Sequence, residues 1–155
     1  MKKVYWFSVL IFLFTNVFAS EHPVKEVPKN VCFRFYYQHP GASGVTWFKN
    51  ENTYVAKYKE NDKELSVYYT IGADCVEIDR EIEIKDLPVQ FHPKLQYALG
   101  DKYSVQQIIS VDDFTGTPYY LVKATSKKSK ENIYFMLEGK NEIILYDVKQ
   151  GVVVW

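Results

Sequence analysis

Over most of its length the chain alternates apolar and polar residues with a period of two, the mark of strands that bury one face. In 53–59, Tyr54, Ala56 and Tyr58 alternate with Val55, Lys57 and Lys59; in 65–71, Leu65, Val67, Tyr69 and Ile71 alternate with Ser66, Tyr68 and Thr70. With 45–49 and 76–84 these make four strands, and Asn61-Asp62 and Gly72-Ala73-Asp74 supply turns between them. The segment 76–84 sets Val76, Ile78, Ile82 and Ile84 against Glu77, Asp79, Glu81 and Glu83. Carboxylates two apart on a strand form a line and do not close around a cation, so a solvated strand face is expected there, not a calcium site. Four further strands are expected at 105–112, 119–125, 132–137 and 142–148, and the tail 151–155 has the composition of one more short strand.

Two stretches change to helical spacing. After Pro28, the residues Val31, Cys32, Phe35 and Tyr36 fall on one helical face before His39-Pro40-Gly41 ends it. After Pro88, Phe91, Leu95 and Leu99 point inward until Gly100-Asp101. Pro93 interrupts this second stretch, and a proline inside a helix costs about 3 kcal/mol, so the regular helix is expected to start at or near Pro93 or to kink there. The elements also recur in order. Val27-Pro28, Trp47 and Tyr54-Val55-Ala56-Lys57-Tyr58 find counterparts from Leu87-Pro88 onward, an offset of about 60 residues. The chain therefore reads as α+β, a tandem duplication of a helix-plus-four-strand unit, with repeats at about 27–86 and 87–150.

The amino terminus sets the compartment. Lys2 and Lys3 precede an apolar run over 4–14, and Val17-Phe18-Ala19 ends in a small residue, so residues 1–19 read as a secretory signal peptide cut near Ala19. The run falls short of the roughly 20 apolar residues a membrane span requires, so a mature domain 20–155 without stable membrane insertion is expected in the periplasm or the medium. The 19 basic and 19 acidic residues become 17 and 19 once Lys2 and Lys3 are removed, a net charge near −2 that gives no electrostatic handle for nucleic acid. Cys32 and Cys75 raise a possible disulfide, weighed against two separately buried thiols; without a CxxC there is no redox or zinc motif.

The motifs Pro28-Lys29-Asn30-Val31, His39-Pro40-Gly41-Ala42-Ser43-Gly44-Val45-Thr46-Trp47, Tyr54-Val55-Ala56-Lys57-Tyr58 and Ile82-Glu83-Ile84-Lys85-Asp86-Leu87-Pro88 resemble the PepSY-like, β-lactamase-inhibitor-like proteins exported by Bacteroidetes. The resemblance spans nearly the whole mature chain; Tyr58, His39 and Pro93 depart from the family pattern. It implies a fold similar to β-lactamase inhibitor protein: one curved antiparallel sheet of about eight strands with the helices on one face. Shape alone does not transfer an activity.

Catalytic constellations are missing from the sequence. His22, His39 and His92 lie in a leader, a turn and a proline-flanked segment, and no HExxH, GxSxG or P-loop is present. No catalytic residue, metal ligand or cofactor is assigned. The stronger signal is aromatic: 17% of residues are Phe, Trp or Tyr, thirteen of them tyrosines. Trp47, Tyr54, Tyr58, Tyr69, Phe91 and Phe135 carry inward phase, whereas Tyr68, Tyr120 and Tyr134 are out of phase with their inward neighbours. These three, with Val55 and Lys57, point to a non-enzymatic exported module that presents an aromatic sheet face to a protein or peptide. The alternatives weighed are a small exported hydrolase using Cys32 or an acid pair, and a β-barrel, which Lys57, Lys59 and Lys123 disfavour by interrupting any lipid face.

Overall fold

A computed structural model describes residues 23–50, 52–139, 142–147 and 151–154, the last two stretches as backbone. Residues 1–19, read from the sequence as a signal peptide, Val148 and Trp155 lie outside the described residues. Two α-helices, α1 (Lys29–Gln38) and α2 (His92–Leu99), accompany the strands β1 (Thr46–Asn50), β2 (Thr53–Glu60), β3 (Lys63–Thr70), β4 (Cys75–Ile82), β5 (Tyr103–Asp112), β6 (Tyr119–Ser126), β7 (Asn132–Glu138), β8 (Glu142–Asp147) and β9 (Gly151–Val154). All nine form one sheet in the order of the sequence, each antiparallel to the next. The tail thus adds a ninth strand to the eight that the alternation and the resemblance suggest.

Cross-strand partners share a face, so the register shows that both helices lie on one side. Ala56 pairs with Val67 and Val67 with Ile78; Ile82, four residues further along β4, pairs with Ile108, then Val122, then Phe135. The first of these rows packs beneath Val31 and Phe35 of α1, the second beneath Phe91 and Leu95 at α2. Pro93 lies in the first turn of α2, where its missing N–H costs no helical bond, and Gly100, at φ +50°, ends the helix. Phe35 is the hub of the first cluster, with Trp47 and Tyr58 edge-on at 5.2 and 5.5 Å. Tyr69 is fully buried there and donates its hydroxyl to Gln38 Oε1 at 2.8 Å.

Two bulges reset the alternation. In β4, Tyr68 pairs with Glu77 but Tyr69 with Cys75, leaving Val76 as the extra residue, 37% exposed. In β5, Val105 pairs with Ala124 and Gln107 with Lys123, so Gln106 is the extra residue and Val105 shares the helix side with Ile108. Val76 therefore leaves the core row expected for it, and Ile84 lies beyond the strand in a short 3-10 turn, also exposed. Tyr36, expected inward, is exposed on α1. The outer edge of β1 is partly covered: Pro23 bridges Phe48, and the Val24 amide donates to Trp47 O at 2.8 Å.

Candidate binding face

The side of the sheet away from the helices has its own apolar cluster, Val111, Tyr119, Leu121 and Met136, with Ile109 against it. Both sides of the central sheet are therefore packed. Four of the five residues assigned to an open face from sequence, Val55, Lys57, Tyr68 and Tyr134, lie on this side; Tyr120 does not. Tyr120 is two residues from Val122 in β6 and meets the Phe91 ring edge-on at 5.7 Å on the helix side. The stretch Tyr119-Tyr120-Leu121-Val122 is apolar in both phases, so its alternation carries no sign; Tyr119 is the residue on the helix-free side. Val55 and Tyr134 are on the expected side but only 2% and 8% exposed, which corrects their assignment as partner-facing surface. Val55 is flanked by its register partners Phe48 and Tyr68.

What remains accessible is polar. Lys57 Nζ stands 4.9 Å from the centre of the Phe48 ring, a cation–π contact. The Tyr68 hydroxyl donates to Asp79 Oδ2 at 2.9 Å. Asp79 Oδ1 is buried and has no hydrogen-bond partner. Burial raises the Asp79 carboxyl to about 6, with the Tyr68 hydrogen bond and the Lys57 charge opposing the rise. Glu77 goes further, to about 8, through burial first and then the charges of Asp79 and Asp113. Burial likewise pushes the Tyr119 hydroxyl up, helped by Glu77 and Asp79. The row read as a solvated carboxylate face is thus half-buried at its Glu77 and Asp79 positions, because the β4 bulge and the aromatic neighbours crowd it. These groups can accept hydrogen bonds, take up a proton near neutral pH, or attract a cation. Among the described residues, no group of three or more His, Cys, Asp or Glu side chains is gathered as metal ligands.

A shallow cleft of about 430 Å³ opens beside the start of β1, lined in part by Thr46, Phe48, Lys57, Tyr58, Leu65 and Ser66. Next to it Tyr58 Oη and His39 Nδ1 are 3.0 Å apart, and burial lowers the His39 pKa. Cys32 and Cys75 are separate, half-buried thiols, so the possible bridge between them is not formed. Burial raises both thiol pKa values and lowers their thiolate fraction.

No protein-family profile and no curated protein matches the chain. Solved structures do. A DUF2874 family protein from Bacteroides uniformis ATCC 8492 superposes with a TM-score of 0.70 at 18% identity, over 76% of this chain and 86% of that one. A protein from Bacteroides eggerthii DSM 20697, expected to be periplasmic, gives 0.71 at 18% identity, again over 76% and 86%. A BLIP-like protein from Bacteroides fragilis NCTC 9343 gives 0.66 at 14% identity, over 82% of this chain and 92% of that one. At these identities the likeness is one of fold: the chain has a BLIP-like architecture, an antiparallel sheet with two helices. Among the described residues no helix is long and apolar enough to cross a membrane.

Proposed function

We propose that the protein is an exported, non-enzymatic binding module of the PepSY-like, β-lactamase-inhibitor-like type, which grips a protein or peptide on the sheet face away from its helices. One observation carries the reading. Asp79, at the middle of that face, is held by Tyr68 through one oxygen and leaves the other buried without a partner. Tyr68 and the Lys57 charge lie next to Asp79, and Phe48 sits beneath the Lys57 ammonium, so the aromatic and cationic groups that anchor interfaces are on the same face. The similarity in fold to a BLIP-like protein and to an expected periplasmic one supports both binding and export. In this reading residues 1–19 are a signal peptide cleaved near Ala19. The two halves, in the same reading, descend from one duplicated unit, each with a proline, Pro28 or Pro88, just ahead of its helical stretch.

The test is site-specific photocrosslinking in an envelope extract, with the reactive group at Lys57 or Ser66 and, separately, at Glu131 on a distant turn. A discrete adduct from the face positions alone is expected. Equal adducts from Glu131, or none from the face, overturn the reading. The exported hydrolase remains the second reading, favoured by the unequal carboxyls of Glu77 and Asp79, and hydrolysis of a substrate panel lost in Glu77→Gln would establish it.

A further inference from the structure

The helix side has a different character from the sheet face. Five of its large apolar side chains are exposed: Phe33 and Tyr37 at 73% each, Tyr36 at 47%, Val89 at 78% and Tyr97 at 91%. Phe33 and Tyr37 stack on each other with ring centres 6.3 Å apart. Phe33, Tyr36 and Tyr37 on α1 and Tyr97 on α2 are exposed while Val31, Phe35 and Leu95 point into the sheet, and Val89 is in the 3-10 turn just before α2. Because both helices cover the same face, these aromatics belong to one side of the molecule.

The charges carried by the two helices have one sign, and Glu60, on the same side of the sheet, is paired with Arg80 at 3.8 Å. Neither helix contains Asp or Glu; their charged residues are Lys29, Arg34 and Lys94. The acids of the connecting segment are neutralised locally, Asp86 by Lys63 at 2.9 Å and Glu83 by Lys85 at 2.8 Å. The half-buried carboxylates, Glu77 and Asp79, are on the opposite side of the sheet. A chain whose 19 basic and 19 acidic residues balance therefore carries only cations on the helices that bear its exposed aromatics.

We infer that the helix side seats the protein peripherally on an anionic lipid surface, with Phe33, Tyr37 and Tyr97 at the headgroup level and Lys29 and Arg34 over the lipid charges. Tyrosine, with an apolar ring and a wet tip, suits that boundary, and each cation near an anionic leaflet adds to the attraction. A second copy of the chain fits the same side less well, since two helix layers would oppose cation to cation. The docking leaves the Asp79 face turned outward.

The mature full-length chain is sedimented with phosphatidylglycerol vesicles and with phosphatidylcholine vesicles in low salt. Binding to the anionic vesicles is expected, with at least a fivefold loss in Arg34→Glu and a larger loss in Phe33→Ser combined with Tyr97→Ser. Lys128→Glu, the same charge change on the β6–β7 turn, is expected to bind nearly as wild type. All variants alter exposed residues, and matched circular-dichroism spectra and melting temperatures verify their folding. Equal binding to both vesicle types, equal loss in Lys128→Glu, or a dimer dispersed by Tyr97→Ser with no vesicle binding overturns the inference. Photocrosslinking on the sheet face is unaffected by any of these results, so the two readings fail separately.

Discussion

Tyr68 and Asp79 meet across β3 and β4 at 2.9 Å, a hydrogen bond that with the Lys57 charge favours the ionised form of a carboxylate that burial disfavours. Removing the phenol hydroxyl takes the hydrogen bond from Oδ2 and leaves the Lys57 charge to act alone. Tyr68→Phe is expected to cost about 1–3 kcal/mol at pH 8, where Asp79 is ionised, and less at pH 5, where it holds its proton. Urea denaturation at the two pH values measures the difference; an equal cost at both would place the role of Tyr68 in packing alone.

Glu77 gives a pH dependence with a definite sign. Its carboxyl titrates at about 8 in the fold against an ordinary 4.5, so between these values the unfolded chain has released a proton that the folded chain retains. Stability from this group is full below about pH 4.5 and falls as pH rises towards 8. Glu77→Gln is expected to flatten that decline by on the order of 1–2 kcal/mol, the partial exposure of the group having been allowed for. Melting temperatures across pH 5 to 8 test it, and parallel curves for the two proteins would refute the assignment.

Phe35 and Phe33 separate core from surface on one helix. Phe35 is fully buried at the centre of the aromatic cluster, whereas Phe33 is exposed. Phe35→Ala is expected to cost about 3–5 kcal/mol, and Phe33→Ala to stay within about 0.5 kcal/mol. Chemical denaturation of both variants reads this directly; comparable losses would mean that α1 packs with another face inward.

Cys32 and Cys75 provide a covalent check. As free thiols they are expected to give two equivalents of thiol reagent in denaturant without reductant, and an intact mass unchanged by reduction. Protection of both until a reductant is added would restore the bridge.

The sequence made some of this architecture legible and hid the rest for identifiable reasons. Pro93 announced where α2 begins, and the alternation of Tyr54, Ala56 and Tyr58 gave the buried side of β2. The bulges at Val76 and Gln106 left no trace, because one inserted residue flips the phase without changing composition. At the start of β6 both phases are apolar, since side chains on both faces are buried, and so the alternation puts Tyr120 on the side that Tyr119 holds. For Tyr134 the alternation gives the side but not the burial, which depends on neighbours across strands. The proton-holding character of Glu77 and Asp79 was hidden for the same reason: a regular row of acids looks solvated until the rings packed around it are known.

The strictly sequential strand order has a temporal consequence. Every strand zips onto the one synthesised just before it, and Phe35 completes its cluster using nothing beyond β4. A chain emerging amino end first from a ribosome or a translocation pore can therefore consolidate its leading half while the trailing half is still in transit, which shortens the time that its tyrosine-rich strands spend open to aggregation.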